Sequence, residues 1–167
     1  MSIKSEREDD MATKTELDYL RLISDGEVVI GPTDGEKTIT QALKVVSYVD
    51  PSFTNYMDVK GQSTQNTPVQ VYELVREGTA TQIFESLGVD LNQLCLTQSQ
   101  IIQFMRDGRD WVLYYGDSVS FLFKVNDEPL VVCVGRGSDG LGGFVYHLSK
   151  GGVLLAKSWD RFVVPQL

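Results

Sequence analysis

The chain has few of the residues on which metal sites and phosphate-binding surfaces depend. Its 167 residues include two cysteines, one histidine, and 15 lysines and arginines against 23 aspartates and glutamates. A single histidine gives no zinc-ligand spacing, and no D-x-D-x-D-G calcium loop occurs, so we expect no metal site and no cofactor. The net charge of -8 leaves no basic stripe, so we expect no direct binding to nucleic acid.

Long hydrophobic runs are also missing. No apolar stretch approaches the roughly 20 residues that span a bilayer, and the polar N-terminus lacks the apolar segment of a secretory signal. We therefore expect a cytoplasmic protein without a membrane partner. In that compartment Cys95 and Cys133 are expected to be reduced thiols.

One glycine is missing from a segment that otherwise resembles a phosphate-binding loop. Residues 31–38 read Gly-Pro-Thr-Asp-Gly-Glu-Lys-Thr, with Glu36 at the position where the loop needs its second glycine. A carboxylate there would repel phosphate, and its Cβ would hinder close approach of the backbone. We interpret the segment as a turn capped by Thr33 rather than as a nucleotide site.

The first two thirds of the chain contain a repeated helix-start pattern, a threonine followed three residues later by Glu or Gln. Apolar residues at helical spacing follow each copy, which predicts five short helices. The pairs are Thr13/Glu16, Thr33/Glu36, Thr67/Gln70, Thr79/Gln82 and Thr97/Gln100. We assign residues 1–13 to a flexible tail and residues 14–167 to one domain, whose helical part covers residues 14–112.

Beyond Gly116 the apolar pattern alternates, which is typical of strands. The predicted strands are 118–125, 130–135, 144–148, 153–159 and 161–164, and turn residues separate them as in consecutive hairpins. Val28–Ile30 is a further candidate strand, and residues 51–66 form the longest predicted loop. The expected fold is α+β, with the helices packed on one face of an antiparallel β-meander of four to five strands at residues 117–167.

The strongest catalytic candidates are Cys95 and His147. Cys95 precedes the helix predicted at Thr97, and His147 lies on a predicted strand, where it could serve as a base for the thiol. This order of cysteine, helix, sheet and histidine resembles papain-like and transglutaminase-like hydrolases, which place the cysteine in the first turn of the helix. The alternative is that Cys95 is a small buried hydrophobe between two leucines and that His147 is a partly exposed strand residue.

The aromatic residues near the sheet are the remaining candidates. We expect most of them to fill the interface between helices and sheet, and any left exposed to mark a site for a partner. The leading hypothesis is a non-catalytic module that binds a protein or a small ligand. The alternatives are the cysteine hydrolase and an acidic protein that mimics nucleic acid, and an exposed edge strand offers a route to a homodimer.

Three strings carry a resemblance across most of the chain. They are Gly-Glu-Val-Val-Ile-Gly-Pro-Thr-Asp-Gly from Gly26, Cys-Leu-Thr-Gln-Ser-Gln-Ile-Ile-Gln-Phe from Cys95 and Arg-Phe-Val-Val-Pro-Gln-Leu from Arg161. They resemble uncharacterised proteins predicted in uncultured candidate-phylum bacteria. The resemblance implies a bacterial cytoplasmic origin and transfers no activity to any residue.

Overall fold

Ten β-strands and two α-helices make up the regular structure in a computed structural model of the chain, which describes residues 17–42, 45–51, 57–112, 114, 116–148, 153–154 and 160–167. The helices are α1 (Ala80–Glu85) and α2 (Gln98–Asp107). The strands are β1 (Leu20–Leu22), β2 (Val28–Ile30), β3 (Tyr48–Val49), β4 (Thr67–Leu74), β5 (Gly78–Thr79), β6 (Ser118–Val125), β7 (Glu128–Gly137), β8 (Gly140–His147), β9 (Val153–Leu154) and β10 (Asp160–Pro165). Short 3₁₀ turns occur at Ile39–Gln41, Leu91–Leu94 and Arg109–Trp111.

Eight of the strands form one mixed sheet. Its order is β1-β4-β10-β6-β7-β8-β3, and β2 pairs with β4 beside β1. The β10–β6 and β8–β3 pairs are parallel, whereas all other pairs in the sheet are antiparallel. The β5 and β9 strands form a separate two-stranded ribbon.

The sheet is buried on both faces. On one side, which we call the α2 face, Phe121 of β6 packs edge-on against Phe104 of α2, with ring centroids 5.5 Å apart. On the other side, the α1 face, Phe162 of β10 packs edge-on against Phe84 of α1 at 5.6 Å. Because successive strand residues point to opposite faces, a strand between two layers is buried along its length, and β6 is buried at every position except Lys124.

The predicted fold class is wrong. Five N-terminal helices on one face of a meander were expected, but the described residues form a mixed, mostly β structure with one helix on each face of the sheet. The region predicted to be helical contributes β1 to β5 as well as both helices, so the division between a helical part at residues 14–112 and a sheet part does not exist.

Of the four capping-box pairs that fall within the described residues, two begin α-helices. Thr79/Gln82 and Thr97/Gln100 form complete capping boxes at α1 and α2, as predicted. By contrast, the Thr67/Gln70 pair lies within β4, and Thr33 forms a β-bridge with Thr64 instead of capping a helix. The pair Thr13/Glu16 lies outside the described residues, as does the predicted tail, and the segment after it contains β1.

The prediction for the sheet is correct in part. Strand β6 has the predicted bounds, and β6, β7 and β8 are consecutive antiparallel strands joined by turns at residues 126–127 and 138–139. The meander ends there, because β10 lies between β4 and β6 rather than beside β8. Of the predicted strand 153–159, only Val153–Leu154 falls within the described residues.

Two further findings bear on partners. Among the helices in the described part of the chain, none has the length and apolar character needed to cross a bilayer. The short strands β1 and β3 lie at the two ends of the strand order. Pairing of two copies through such an edge remains a prediction.

Candidate functional site

A pocket of about 630 Å³ opens where the C-terminal end of β6 meets the start of α2. One wall is the loop of residues 59–64, which belongs to the long loop expected from the sequence. The second wall is the start of α2, including Cys95, and the third is the end of β6 with Asp127 of the following turn. Seven of the fifteen lining residues carry side-chain amides or hydroxyls, so the pocket presents both hydrogen-bond donors and acceptors.

The loop of residues 59–64 is held by the segment that resembles a phosphate-binding loop. Thr33 and Thr64 exchange two backbone hydrogen bonds of 3.0 and 2.8 Å, and Gly61 N donates to Gly35 O at 3.0 Å. Gly35 has a φ of +77°, and a Cβ there would lie 2.5 Å from the backbone of Gln62, so only glycine fits. The segment has a β-bridge at Thr33 and a bend at Gly35 instead of the predicted turn capped by Thr33, and it supports the wall of the pocket.

The start of α2 is fixed by glutamines that are almost fully buried. Gln98, 2% exposed, accepts a hydrogen bond from Ile39 N at 3.0 Å and donates one to Met57 O at 2.6 Å. Gln100 closes the capping box with Thr97 and donates to Thr67 Oγ1 at 2.9 Å. These bonds connect the helix to three separate parts of the chain and hold the pocket walls in place.

Charges of both signs surround the pocket. Lys60 forms an exposed ion pair with Glu36 at 2.7 Å, and the hydrogen bond that Lys60 Nζ donates to Glu36 Oε2 raises the pKa of Lys60. Lys124 has no ion pair within the part of the chain that the structure describes, and Asp127 lies on the same wall. Lys124 is therefore the cation best placed to meet an anionic group in the pocket.

Asn92 is oriented by a neighbouring carboxylate. Its backbone N and its Nδ2 both donate to Asp90 Oδ1, at 2.7 and 2.8 Å. The backbone bond and then the side-chain bond from Asn92 lower the pKa of Asp90, so this carboxylate is ionised at neutral pH. Because both Nδ2 and the main chain are held, the side-chain oxygen of Asn92 has a fixed orientation.

Cys95 lies in this pocket, as a neutral thiol. A parallel β-bridge joins Cys95 to Leu122 of β6, and Cys95 Sγ donates a hydrogen bond to Leu91 O at 3.4 Å. Burial raises the pKa of Cys95 to about 11, with only partial compensation from the charge of Lys124. A thiol with that pKa is protonated at neutral pH, whereas a cysteine nucleophile must be a thiolate.

The structure does not bring His147 to Cys95. His147 pairs with Leu130 across β7 and β8, and its Nδ1 lies 2.9 Å from Glu128 Oε1. Cys95 lies beside β6, and β7 and then β8 follow β6 in the sheet. The strand that carries His147 is therefore three strand spacings from Cys95, or about 14 Å. Cys95 packs with the α1 face, whereas His147 follows the alternation of Val145, which packs on the α2 face.

A general base must lie within hydrogen-bond distance of the thiol, about 3 Å between heavy atoms. The cysteine-hydrolase hypothesis therefore lacks the hydrogen bond between the Cys95 thiol and the His147 imidazole that it requires. The carboxylate of Asp160 accepts a hydrogen bond from Ser118 where β10 meets β6. Cys133 is a second free thiol, and burial raises its pKa as well.

The residues that sequence reasoning missed are Lys60, Gly61, Asn92, Lys124 and Asp127. Two signals were nevertheless available, namely the capping box at the start of α2 and the tight turn after β6, where Asn126 and Asp127 have φ values of 50° and 63°. Among the described residues, no group of three or more His, Cys, Asp or Glu side chains is placed to hold a metal ion.

In comparisons with known proteins, no family model, no curated protein and no solved structure matches this chain.

Proposed function

We propose that the chain is a non-catalytic binding protein whose pocket beside α2 takes a small polar ligand with an anionic group. The observation that carries the proposal is a polar pocket whose walls are fixed by buried hydrogen bonds. Its volume of about 630 Å³ lies within the usual range of small-molecule sites, roughly 300–1,000 Å³.

The fixed walls favour binding because little has to be ordered when a ligand arrives. Gln98 ties α2 to Ile39 and Met57, and the Thr33–Thr64 bridge ties the loop of residues 59–64 to its neighbour. Immobilising a free side chain on binding costs about 0.5–1.5 kcal/mol, and side chains that already have partners avoid much of that cost.

The charges of the site favour an anionic group at one end of the ligand. Lys124 has no competing ion pair among the described residues, and the N-terminus of α2 adds a partial positive charge on the neighbouring wall. Asn92, Ser63 and Gln62 offer hydrogen bonds to the uncharged part of the ligand, and Asp127 disfavours a second anionic group.

Binding without turnover is supported by the state of the thiol. Cys95 is the nucleophile in the pocket, yet burial keeps it protonated at neutral pH, and the imidazole of His147 belongs to another part of the sheet. The pocket supplies recognition groups and no activated nucleophile.

The test is a two-dimensional ¹H–¹⁵N NMR titration with three probes. N-acetylglycine carries a carboxylate, inorganic phosphate is a second anion, and N-acetylglycinamide is the neutral counterpart of the first. We expect N-acetylglycine to give saturable shifts at the amides of residues 59–64, 95–98 and 124–127, and N-acetylglycinamide to bind about tenfold more weakly.

Variants separate this site from general attraction to lysines. Lys124→Met should weaken binding of N-acetylglycine about tenfold, whereas Lys37→Met, an exposed lysine outside the pocket lining, should not change it. The proposal fails if neither anion gives saturable shifts at those amides, or if Lys37→Met weakens binding as much as Lys124→Met.

A further inference from the structure

A second cleft, of about 390 Å³, lies at the other end of the sheet, beside the turn between β7 and β8. Ser47 and Tyr48, at the start of β3, form one side of this cleft, and hydrogen bonds from the two residues that flank β3 help to hold it to β8. Ser47 N donates to Leu141 O at 2.7 Å, and Asp50 N donates to Gly143 O at 2.8 Å. The cleft is remote from the pocket beside α2, and none of its lining residues belongs to that pocket.

Two large aromatic rings in the cleft face solvent instead of the core. Tyr48 is 53% exposed and Phe144 is 48% exposed. Their ring centroids are 5.8 Å apart with the planes at 44°, so together they form an open, V-shaped aromatic surface. Among the described residues, most other aromatic side chains near the sheet are at least partly buried, and Tyr114, which is 72% exposed, lies outside the cleft, so Tyr48 and Phe144 are the exposed aromatic pair that shares one site.

Bare backbone forms the floor between the rings. Gly142 pairs with Tyr48 on β3 and with Gly135 on β7. A Cβ on Gly142 would lie 3.2 Å from Phe144 Cε2 and 3.7 Å from Tyr48 Cδ1, so both rings lean over this glycine. The glycines keep the space beside the rings free of side chains.

The charge of the cleft is negative. Asp139 is the charged residue among those that line it, and none of the described lining residues is lysine or arginine. Arg136 lies on β7 next to Gly135 but alternates to the other face, where its Nε donates to Val112 O. The net charge of -8 adds a general attraction for cations.

We propose that this cleft binds a free small molecule with a quaternary ammonium group, seated on the V-shaped surface of Tyr48 and Phe144 in a cleft that Asp139 also lines. The negative faces of aromatic rings attract cations, and alkylated ammonium ions are favoured because little hydration is lost when they leave water. The nearby carboxylate supplies the charge complementarity that a neutral apolar ligand would not use.

The same chemistry excludes several other ligands. Nucleotides and other anions would face a carboxylate with no lysine or arginine to offset it. A zwitterion such as glycine betaine brings its own carboxylate close to the ammonium group, so Asp139 should disfavour it relative to choline. An apolar ligand would gain from the rings but nothing from the charge.

The experiment compares choline with 3,3-dimethylbutan-1-ol, in which carbon replaces the charged nitrogen at almost unchanged shape. Binding is followed by ¹H–¹⁵N NMR at the amides of residues 135–144 of the intact protein. We expect choline to give saturable shifts there, and the neutral alcohol and glycine betaine to bind about three- to thirtyfold more weakly.

Two variants test named groups of the cleft, and a third is the control. Phe144→Leu and Asp139→Asn should each weaken choline binding by about three- to thirtyfold, and both side chains are exposed enough for the fold to tolerate the change. Tyr114→Leu is the matched control, since Tyr114 is 72% exposed but lies outside the cleft, and its variant should bind choline as the parent does.

Equal binding of choline and its neutral isostere would overturn the assignment of a cation, as would full retention of choline binding in both Phe144→Leu and Asp139→Asn. A peptide containing trimethyllysine that binds much more tightly than choline would overturn the assignment of a free small molecule and identify a protein partner. Because the cleft and the pocket beside α2 share no lining residue, either outcome leaves the binding of anionic probes at Lys124 independently testable.

Discussion

Replacing Gln98 by methionine should destabilise the protein by removing two hydrogen bonds without changing the volume of the side chain. Gln98 is 2% exposed and forms both bonds through its amide, to Ile39 N and to Met57 O. Methionine has a similar length and flexibility, so the packing around α2 is largely preserved. The effect therefore reports on the hydrogen bonds.

The expected magnitude follows from what each partner keeps. The Ile39 N–H is left without a partner in a buried place, which costs about 1–3 kcal/mol. The Met57 carbonyl retains its hydrogen bond from Val59 N at 3.0 Å, so only the net value of one bond, about 1 kcal/mol, is lost there. Together we expect the free energy of unfolding to fall by about 2–4 kcal/mol.

The measurement is guanidinium unfolding followed by tryptophan fluorescence. The midpoint should move down by about 0.5–1 M with an unchanged slope. Gln103→Met on the same helix is the control, because the bonds of Gln103, donated to Asp107 Oδ2 and accepted from Arg106 Nη1, are exposed, and its effect should stay within about 0.5 kcal/mol. Equal midpoints for the Gln98 and Gln103 variants would refute the reasoning that buried glutamine bonds hold the pocket walls.

Two further predictions concern single residues of the pocket. Labelling of Cys95 by iodoacetamide should accelerate about tenfold per pH unit from pH 8 to pH 10 without reaching a plateau, because the pKa of the thiol is about 11. The variant His147→Ala should leave the labelling rate unchanged. A plateau near pH 7 that His147→Ala abolishes would instead indicate an activated thiolate. Gly61→Ala should lower the free energy of unfolding by about 1–3 kcal/mol, since its Cβ would lie 2.7 Å from Thr97 Cγ2 at the cap of α2. Gly31→Ala, with open space around the new Cβ, should be nearly neutral, and adding Thr97→Ser to Gly61→Ala should restore part of the lost stability. Equal stability of the two alanine variants in guanidinium unfolding would contradict the close contact between Gly61 and Thr97.

Local signals predicted the elements that are determined locally. The capping boxes at Thr79 and Thr97 begin helices because several helical residues follow each one, and the turn at residues 126–127 joins two adjacent strands. The same threonine pattern at Thr67 was misleading. Strand β4 is buried on both faces, so its apolar residues follow no clean alternation and coincide with a helical spacing.

Long-range pairing decided the rest of the fold. Nothing in residues 67–74 indicates that they will pair with β1, β2 and, more than 80 residues later, β10. The candidate site has the same origin. The loop of residues 51–66 and Cys95 were singled out from the sequence, but the contact between Gly61 and Thr97 joins positions far apart in the chain, and no short-range pattern encodes it.

The central position of β10 has a consequence for how the protein folds. Along the sequence β4 is followed by β6, β7 and β8, and only then by β10, which lies between β4 and β6 in the sheet. Until residues 160–165 insert between β4 and β6, the two halves of the sheet have unpaired inner edges. We therefore expect slow folding, with aggregation competing until β10 inserts between the two halves.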